Sequence, residues 1–259
     1  MIGRRTMLKG AMTLASLPLH RPVFADTGGR VLVGVQNNVF ANFFDGRPEG
    51  VILEAVDLLL RRCGRDPVYV VMQNREITAA MQEGIVGVET VTVGTPSSSA
   101  RELFSDPILT EYNVIAVPAG RNLTLSRISD LHGLTLGGRQ GYQYPLLDPD
   151  PAIRMERYSQ DGELIRSLIL GRIDAAVISA LSEVYKLRDE GVMPRIKLLE
   201  RAVGMVPLRT ALSRKLFSQA DLDQFNEQLA ALKASPQWNE ILDRNGFADL
   251  AVEWPLITE

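Results

Sequence analysis

The strongest constraint on the fold is an order of elements that occurs twice. From Arg30 onward the chain alternates apolar runs of strand length with longer segments of helical period. Val31-Leu-Val-Gly-Val35 reads as a strand. Residues 50–62 (GVILEAVDLLLRR) then place Ile52, Val56, Leu59 and Leu60 on one helical face, ended by Gly64. Residues 68–72 read as a second strand, 76–83 as a helix and 86–93 as a third strand. Such a series implies a parallel α/β sheet, because parallel neighbours need a crossover between them.

The order then recurs, with a short strand at 134–136, a helix from Tyr142, a strand at 153–158, a helix at 162–170 and a buried strand at 175–178. Two joints are alike: Met81-Gln-Glu-Gly84-Ile-Val-Gly87 and Leu168-Ile-Leu-Gly171-Arg-Ile-Asp174 each set a glycine where a helix must stop in a left-handed residue. Residues 112–117 (YNVIAV), followed by Pro118-Ala-Gly120, and 203–212 (VGMVPLRTAL) read as extended connectors, and 219–232 and 236–244 as helices without a matching strand. The expectation is an α/β protein of two lobes joined by a two-strand hinge. Lobe 1 is discontinuous (26–116 plus 205–259) and lobe 2 is 117–204. A ligand site belongs between them, beyond the carboxyl ends of the strands.

Residues 1–25 are a separate object. They open with Arg4, Arg5 and Lys9, continue through a short apolar stretch at 11–19 and close with Val23-Phe24-Ala25 before Asp26, the layout of a secretory signal with a small residue at the cleavage site. The stretch is far shorter than the roughly 18 residues of a membrane span. Gly3-Arg4-Arg5-Thr6-Met7-Leu8-Lys9 resembles the twin-arginine signal, and Arg21 after the apolar stretch is common in that kind. A general signal whose arginines supply only the positive start remains an alternative. Either route leads to the periplasm, with cleavage after Ala25.

Cleavage removes four basic residues and no acid, which takes the net charge from -3 to -7, a poor balance for nucleic-acid binding. It leaves one histidine, His132, and one cysteine, Cys63. Neither an intramolecular disulfide nor a zinc or iron–sulfur centre follows from that set, so no cofactor and no metal are expected. His132 reads as a turn residue, and Cys63 as half-buried at a helix end.

Several landmarks fall in a recognisable order. They are Val31-Leu-Val-Gly-Val35, Gly50-Val-Ile-Leu-Glu54, Arg101 with Phe104-Ser105-Asp106-Pro107, Asp130-Leu131-His132-Gly133-Leu134, Gly171-Arg-Ile-Asp174-Ala175 and the stretch from Ser235-Pro236 to Gly246. In that order the chain resembles the periplasmic solute-binding proteins of ABC transporters, in the family that contains the amino-acid-binding proteins (bacterial extracellular solute-binding proteins, family 3). The resemblance implies a clamp whose two lobes close on a ligand by hinge motion and then dock on a membrane permease.

The resemblance also implies site residues. Arg101 matches the arginine that grips a ligand carboxylate through two charge-assisted hydrogen bonds. Gly94-Thr-Pro-Ser-Ser-Ser99 delays it by about two positions, and a surface arginine beside Glu102 or Asp106 is the competing reading. Thr95 supplies a hydroxyl in the same loop. Asn38 and Phe40 follow the first strand, where the family packs a side chain over the ligand; an asparagine turn over a buried phenylalanine is the plainer alternative. Tyr142, Gln143 and Tyr144 lie at the expected helix start, whose backbone N–H groups would receive an anion, and both tyrosines read equally as packing residues. Gly137-Gly138-Arg-Gln-Gly141 lacks the endings of a phosphate loop.

Ser179 stands where the family's amino-acid binders present an aspartate to the ligand's α-ammonium. A buried ammonium without a carboxylate partner costs several kcal/mol, so a standard α-amino acid is not the expected ligand. Gly87 departs from an aspartate too, which leaves Glu89 and Asp161 as substitute carboxylates. The expected function is a monomeric, non-enzymatic receptor that captures a small polar, carboxylated solute and delivers it to the permease and ATPase of an ABC importer, with no nucleic-acid partner. Two readings stay beside it. One is a periplasmic enzyme on the same fold using Glu89 or Asp161 as general acid, against which stand the missing G-x-S-x-G, H-E-x-x-H and cysteine–histidine patterns. The other is an orphan scaffold that no longer binds tightly.

Overall fold

The computed structural model describes residues 29–93 and 100–257; the signal segment, Thr95 and the serines at 97–99 lie outside the described residues. The first unit opens with β1 (Arg30–Val35), followed by a hairpin of β2 (Asn42–Phe44) and β3 (Arg47–Glu49) that turns at Asp45 and Gly46 with positive φ. Helix α1 (Val51–Arg62) buries Ile52, Val56, Leu59 and Leu60, the stripe read from the sequence. β4 (Asp66–Val71) and β5 (Val88–Thr92) flank β1 in parallel, with α2 (Asn74–Glu83) as the crossover between them. α2 starts on a capping box, the Gln73 N–H donating to Glu76 Oε2 at 2.9 Å. It stops at Gly84, whose φ of 74° is the left-handed cap expected.

β6 (Glu102–Phe104) and the long β7 (Leu109–Pro118) lead into the second unit. There β8 (Thr135–Arg139), β9 (Arg154–Tyr158), α3 (Asp161–Ile169) and β10 (Ala175–Ser179) repeat the parallel plan, with Gly171 left-handed at φ 68°. α4 (Ser182–Asp189) comes next, then β11 (Ile196–Ser213), α5 (Gln219–Lys233) and α6 (Pro236–Arg244).

The principal sheet runs β4-β1-β5-β11-β7-β10-β8-β9, with β6 also paired to β11. β4-β1-β5 and β10-β8-β9 are the parallel sheets of two lobes, and the antiparallel strands β7 and β11 join them. The expected connectors are thus hydrogen-bonded strands. β11 pairs with β7 from Ile196 to Leu208 and then with β5 and β6 from Arg209 to Ser213.

One expected element is absent. Residues from Gly141 to Asp150 form turns, so the expected helix from Tyr142 is not there, and neither is a helix N-terminus to receive an anion. Pro145, Pro149 and Pro151 explain this, since each disfavours the helical region for the residue before it. The N–H groups of Leu147 and Asp148 instead both converge on the Tyr144 carbonyl, at 2.9 and 2.8 Å. Conversely α4, the hairpin and β6 have no counterpart in the sequence reading.

The larger apolar cluster is continuous through both lobes, from Val33, Ile52 and Leu59 to Leu164, Leu168 and Leu187. A second cluster holds Ile115, Leu136, Leu147, Val177 and Val203 beneath lobe 2. Beyond α6 the chain returns across the molecule. The Phe247 ring stacks on Tyr185 of α4 with centroids 4.9 Å apart, and Asp249 pairs with Arg188 of the same helix. Further on, the Ala202 N–H donates to the Pro255 carbonyl at 3.0 Å, the Ile257 N–H donates to the Ala202 carbonyl at 2.9 Å, and Ile257 enters the second cluster.

Candidate functional site

Along β11 the ends of the lobes can be located from register alone. Gly204 lies opposite Asn113 of β7, which in turn lies opposite Ser179, the carboxyl end of β10. Arg209 lies opposite Thr92, the carboxyl end of β5. The carboxyl ends of the two parallel sheets therefore face each other over residues 204–209 and 109–113, where open α/β sheets bind ligands.

Ser179 lies within a buried polar cluster. Its hydroxyl donates to Glu111 Oε1, and its N–H donates to Glu183 Oε2 at 2.6 Å. The Ser182 hydroxyl and N–H donate to the same Glu111 oxygen. Glu111 Oε2 takes none of these bonds. The sequence reading missed both glutamates. Glu111 comes from β7, 68 residues away from Ser179, and is delivered by the antiparallel pairing of β7 with β10. Glu183, in the first turn of α4, folds back on the strand end that precedes it.

A second layer surrounds this cluster. Asp161, at the start of α3, is 2.9 Å from Arg139 Nη1 and 3.4 Å from Lys186 Nζ. Burial, then the hydrogen bond that the protonated acid donates to Asp161, pushes the Glu183 carboxyl up to about 8, while the bond from the Ser179 N–H opposes the shift. Glu183 thus keeps its proton at neutral pH. The Tyr142 phenol, on a half-exposed ring, is raised by burial first and then by the charges of Glu183 and Glu111, which places it near the same carboxylates. Of the residues read from sequence, Tyr142, Ser179 and Asp161 are brought together.

Others are placed differently. Phe40 is buried against Phe247, with ring centroids 5.6 Å apart, and Asn38 Oδ1 accepts the N–H groups of Phe40 and Ala41. That is the plainer alternative, an asparagine turn over a core phenylalanine. Tyr144 is also core: its hydroxyl accepts from the Arg139 N–H at 3.0 Å, and the Arg157 guanidinium lies over its ring. Gln143 is exposed beside Tyr142. Glu89 is buried next to Glu102 and raised to about 7 by burial and then by that neighbour. It lies opposite Ala211, inside the sheet rather than at its carboxyl edge. His132 pairs with Asp150 in a surface turn, and Cys63 is half-buried at the end of α1.

Arg101 is displaced from the place expected of it. It precedes Glu102, which lies opposite Ser213, and its carbonyl accepts from the Arg214 N–H at 3.1 Å. This is the amino end of β5, about 13 Å from the carboxyl end at ~3.3 Å per strand residue. The register does not bring Arg101 to the carboxyl-end face. The arginine level with Thr92 is Arg209, whose Nη1 donates to the Ser105 carbonyl at 2.6 Å. Among the described residues no group of three metal-ligating side chains converges, and no helix is long and apolar enough to cross a membrane.

Two α/β lobes on a pair of shared strands, with charged side chains where their sheet ends meet, define a hinged binding protein. The chain belongs to the bacterial extracellular solute-binding proteins, family 3, whose model matches residues 31–247. Solved structures agree in fold. The L-cystine solute receptor of Neisseria gonorrhoeae in its unliganded open conformation is 17% identical, with a TM-score of 0.73, covering 88% of this chain and 97% of that one. The second substrate-binding domain of a putative amino acid ABC transporter from Streptococcus pneumoniae is 19% identical, with a TM-score of 0.68, covering 83% and 99%. An ancestral arginine-binding protein bound to arginine is 19% identical, with a TM-score of 0.56, covering 83% and 97%. No functionally curated protein matches the sequence.

Proposed function

We propose that this chain is exported to the periplasm, loses residues 1–25 there, and acts as a monomeric receptor that captures an amino-acid-like solute between its lobes for an ABC importer. Lobe 1 comprises residues 26–116 and 205–259, and lobe 2 comprises 117–204. The ligand carries a carboxylate, as the sequence suggests, and also an ammonium. The observation that carries the second point is Glu111, whose carboxylate rests on the Ser179 and Ser182 hydroxyls. Ser179 occupies the place of the family's ammonium-facing aspartate, and β7 supplies from the hinge the charge that residue 179 lacks. This reverses the inference that a hydroxyl at 179 disfavours an α-amino acid. Tyr142 covers the same ligand, and Arg209 holds its carboxylate in place of Arg101. The solutes of two structural relatives, L-cystine for the Neisseria gonorrhoeae receptor and arginine for the ancestral protein, support the class.

The test is a thermal-shift screen of amino acids, organic acids and small osmolytes. A true ligand stabilises the protein by RT ln(1 + [L]/Kd), about 2.7 kcal/mol at a hundredfold excess over Kd. Amino acids should shift the transition and plain organic acids should not, and Glu111→Gln should weaken the best amino acid at least tenfold. A preference for organic acids, or consumption of the ligand, would overturn the reading.

A further inference from the structure

The family match ends at Phe247, and the chain continues beyond it along a path of its own. Asp249 pairs with Arg188 through both guanidinium nitrogens, so the segment is fastened to α4 as it leaves Phe247. Leu250 and Trp254 then pack on the large cluster shared by both lobes. At the far end Leu256 pairs in parallel with Ala202, where the ladder between β11 and β7 breaks register on both sides. The broken ladder leaves Ala202 an N–H and a carbonyl to share with the segment, and these go to Pro255 and Ile257. Arg201 Nη1 adds a bond to the Leu256 carbonyl at 3.3 Å, and Ile257 is buried under lobe 2 beside Leu136 and Val203.

Between these anchors the segment spans the hinge without packing flat on it. An open pocket of about 170 Å³ lies between Ala251–Glu253 and the hinge residues Ile108–Thr110 and Tyr112, with Lys233 and Trp238 also lining it. Val252 and Leu256 are exposed. The Trp254 indole N–H is buried with no hydrogen-bond partner among the described residues, so lifting the segment gives it access to water.

We propose that residues 248–257 form a third tie between the lobes, a strap added to the two hinge strands, that limits how far lobe 2 can swing from lobe 1. The covalent crossings at β7 and β11 let the lobes rotate about residues 109–113 and 204–209. The strap starts from α6 of lobe 1 and is clipped to α4 and to Ala202 of lobe 2, so wide opening must pull Ile257 out of its apolar seat. Nothing in this depends on which solute is bound, so it stands or falls apart from the proposed ligand.

The experiment measures the interlobe distance in ligand-free protein. Spin labels go on exposed Arg75 (R75C) and Arg172 (R172C) in a Cys63→Ser background, and the distance distribution is read by pulsed electron resonance. The full chain should give one narrow distribution. A chain ending at Glu253 should give a longer mean and a broader distribution, and Ile257→Ser, which keeps the segment but spoils its seat, should move the same way by less. Distributions that superimpose on the full chain's in both variants overturn the proposal, even if thermal stability falls. If the shortened chain does not fold, Ile257→Ser decides alone.

Discussion

Replacing Glu183 by glutamine tests the reading of the carboxyl cluster most directly. The side chain keeps its shape, its oxygen still accepts from the Ser179 N–H, and its amide donates to Asp161 as the protonated acid does. In the wild type the Glu183 carboxyl titrates near 8 rather than at its ordinary 4.5, chiefly through burial. Its folded-state value is raised, so its stabilising contribution is complete below about pH 4.5 and lost as pH climbs towards 8. Over that window the unfolded chain gives up the proton and the folded chain retains it. At about 1.4 kcal/mol per pH unit, the loss reaches about 5 kcal/mol as an upper bound. The assay is urea unfolding of wild type and Glu183→Gln at intervals from pH 5 to 8. Buried Glu89 adds a slope common to both proteins, so the difference between the two curves isolates Glu183. The curves should nearly meet at pH 5, with the variant more stable by several kcal/mol at pH 8. Curves that stay parallel would refute the buried, proton-holding Glu183.

Three further outcomes are expected. Once a ligand is in hand, Arg209→Ala should weaken its binding at least tenfold in calorimetry and Arg101→Ala should leave it unchanged; the opposite ranking would restore Arg101 to the site. Gly50→Ala should cost roughly 2–4 kcal/mol in urea unfolding, because Gly50 sits at φ 92° and an added Cβ would lie 2.7 Å from the Phe40 carbonyl. Gly46→Ala, at φ 76° with nothing near its Cβ, should cost only about 1 kcal/mol.

Much of the scaffold was legible because it rests on local patterns. The Ile52-Val56-Leu59-Leu60 stripe and the glycines at 84 and 171 act within one turn of their own positions, and each is where the sequence put it. The stretch after β8 misled because its tyrosines suggest an amphipathic helix, while three prolines set the backbone. The site was harder to read, since a β-ladder joins residues far apart and register cannot be read from either strand alone. Ser179 and Tyr142 were marked by their place after strands. Glu111, just before the connector at 112–117, carried no signal of its own until pairing set it on Ser179. For the same reason only the pairing of β11 with β5 and β6 tells that Arg209 lies level with the carboxyl end of β5 and Arg101 beside its amino end.

β11 has a consequence for the order in which the molecule assembles during synthesis. The first parallel unit is translated early, yet the strand that covers the exposed side of β5 arrives more than a hundred residues later. β8, β9 and β10 and their crossovers succeed one another without interruption, so the second unit can settle as soon as it emerges, while the first waits with an open edge. The N-terminal portion is therefore slow to mature and exposed longest to mispairing. A chaperone or export factor that binds this protein before it is complete would find its target there.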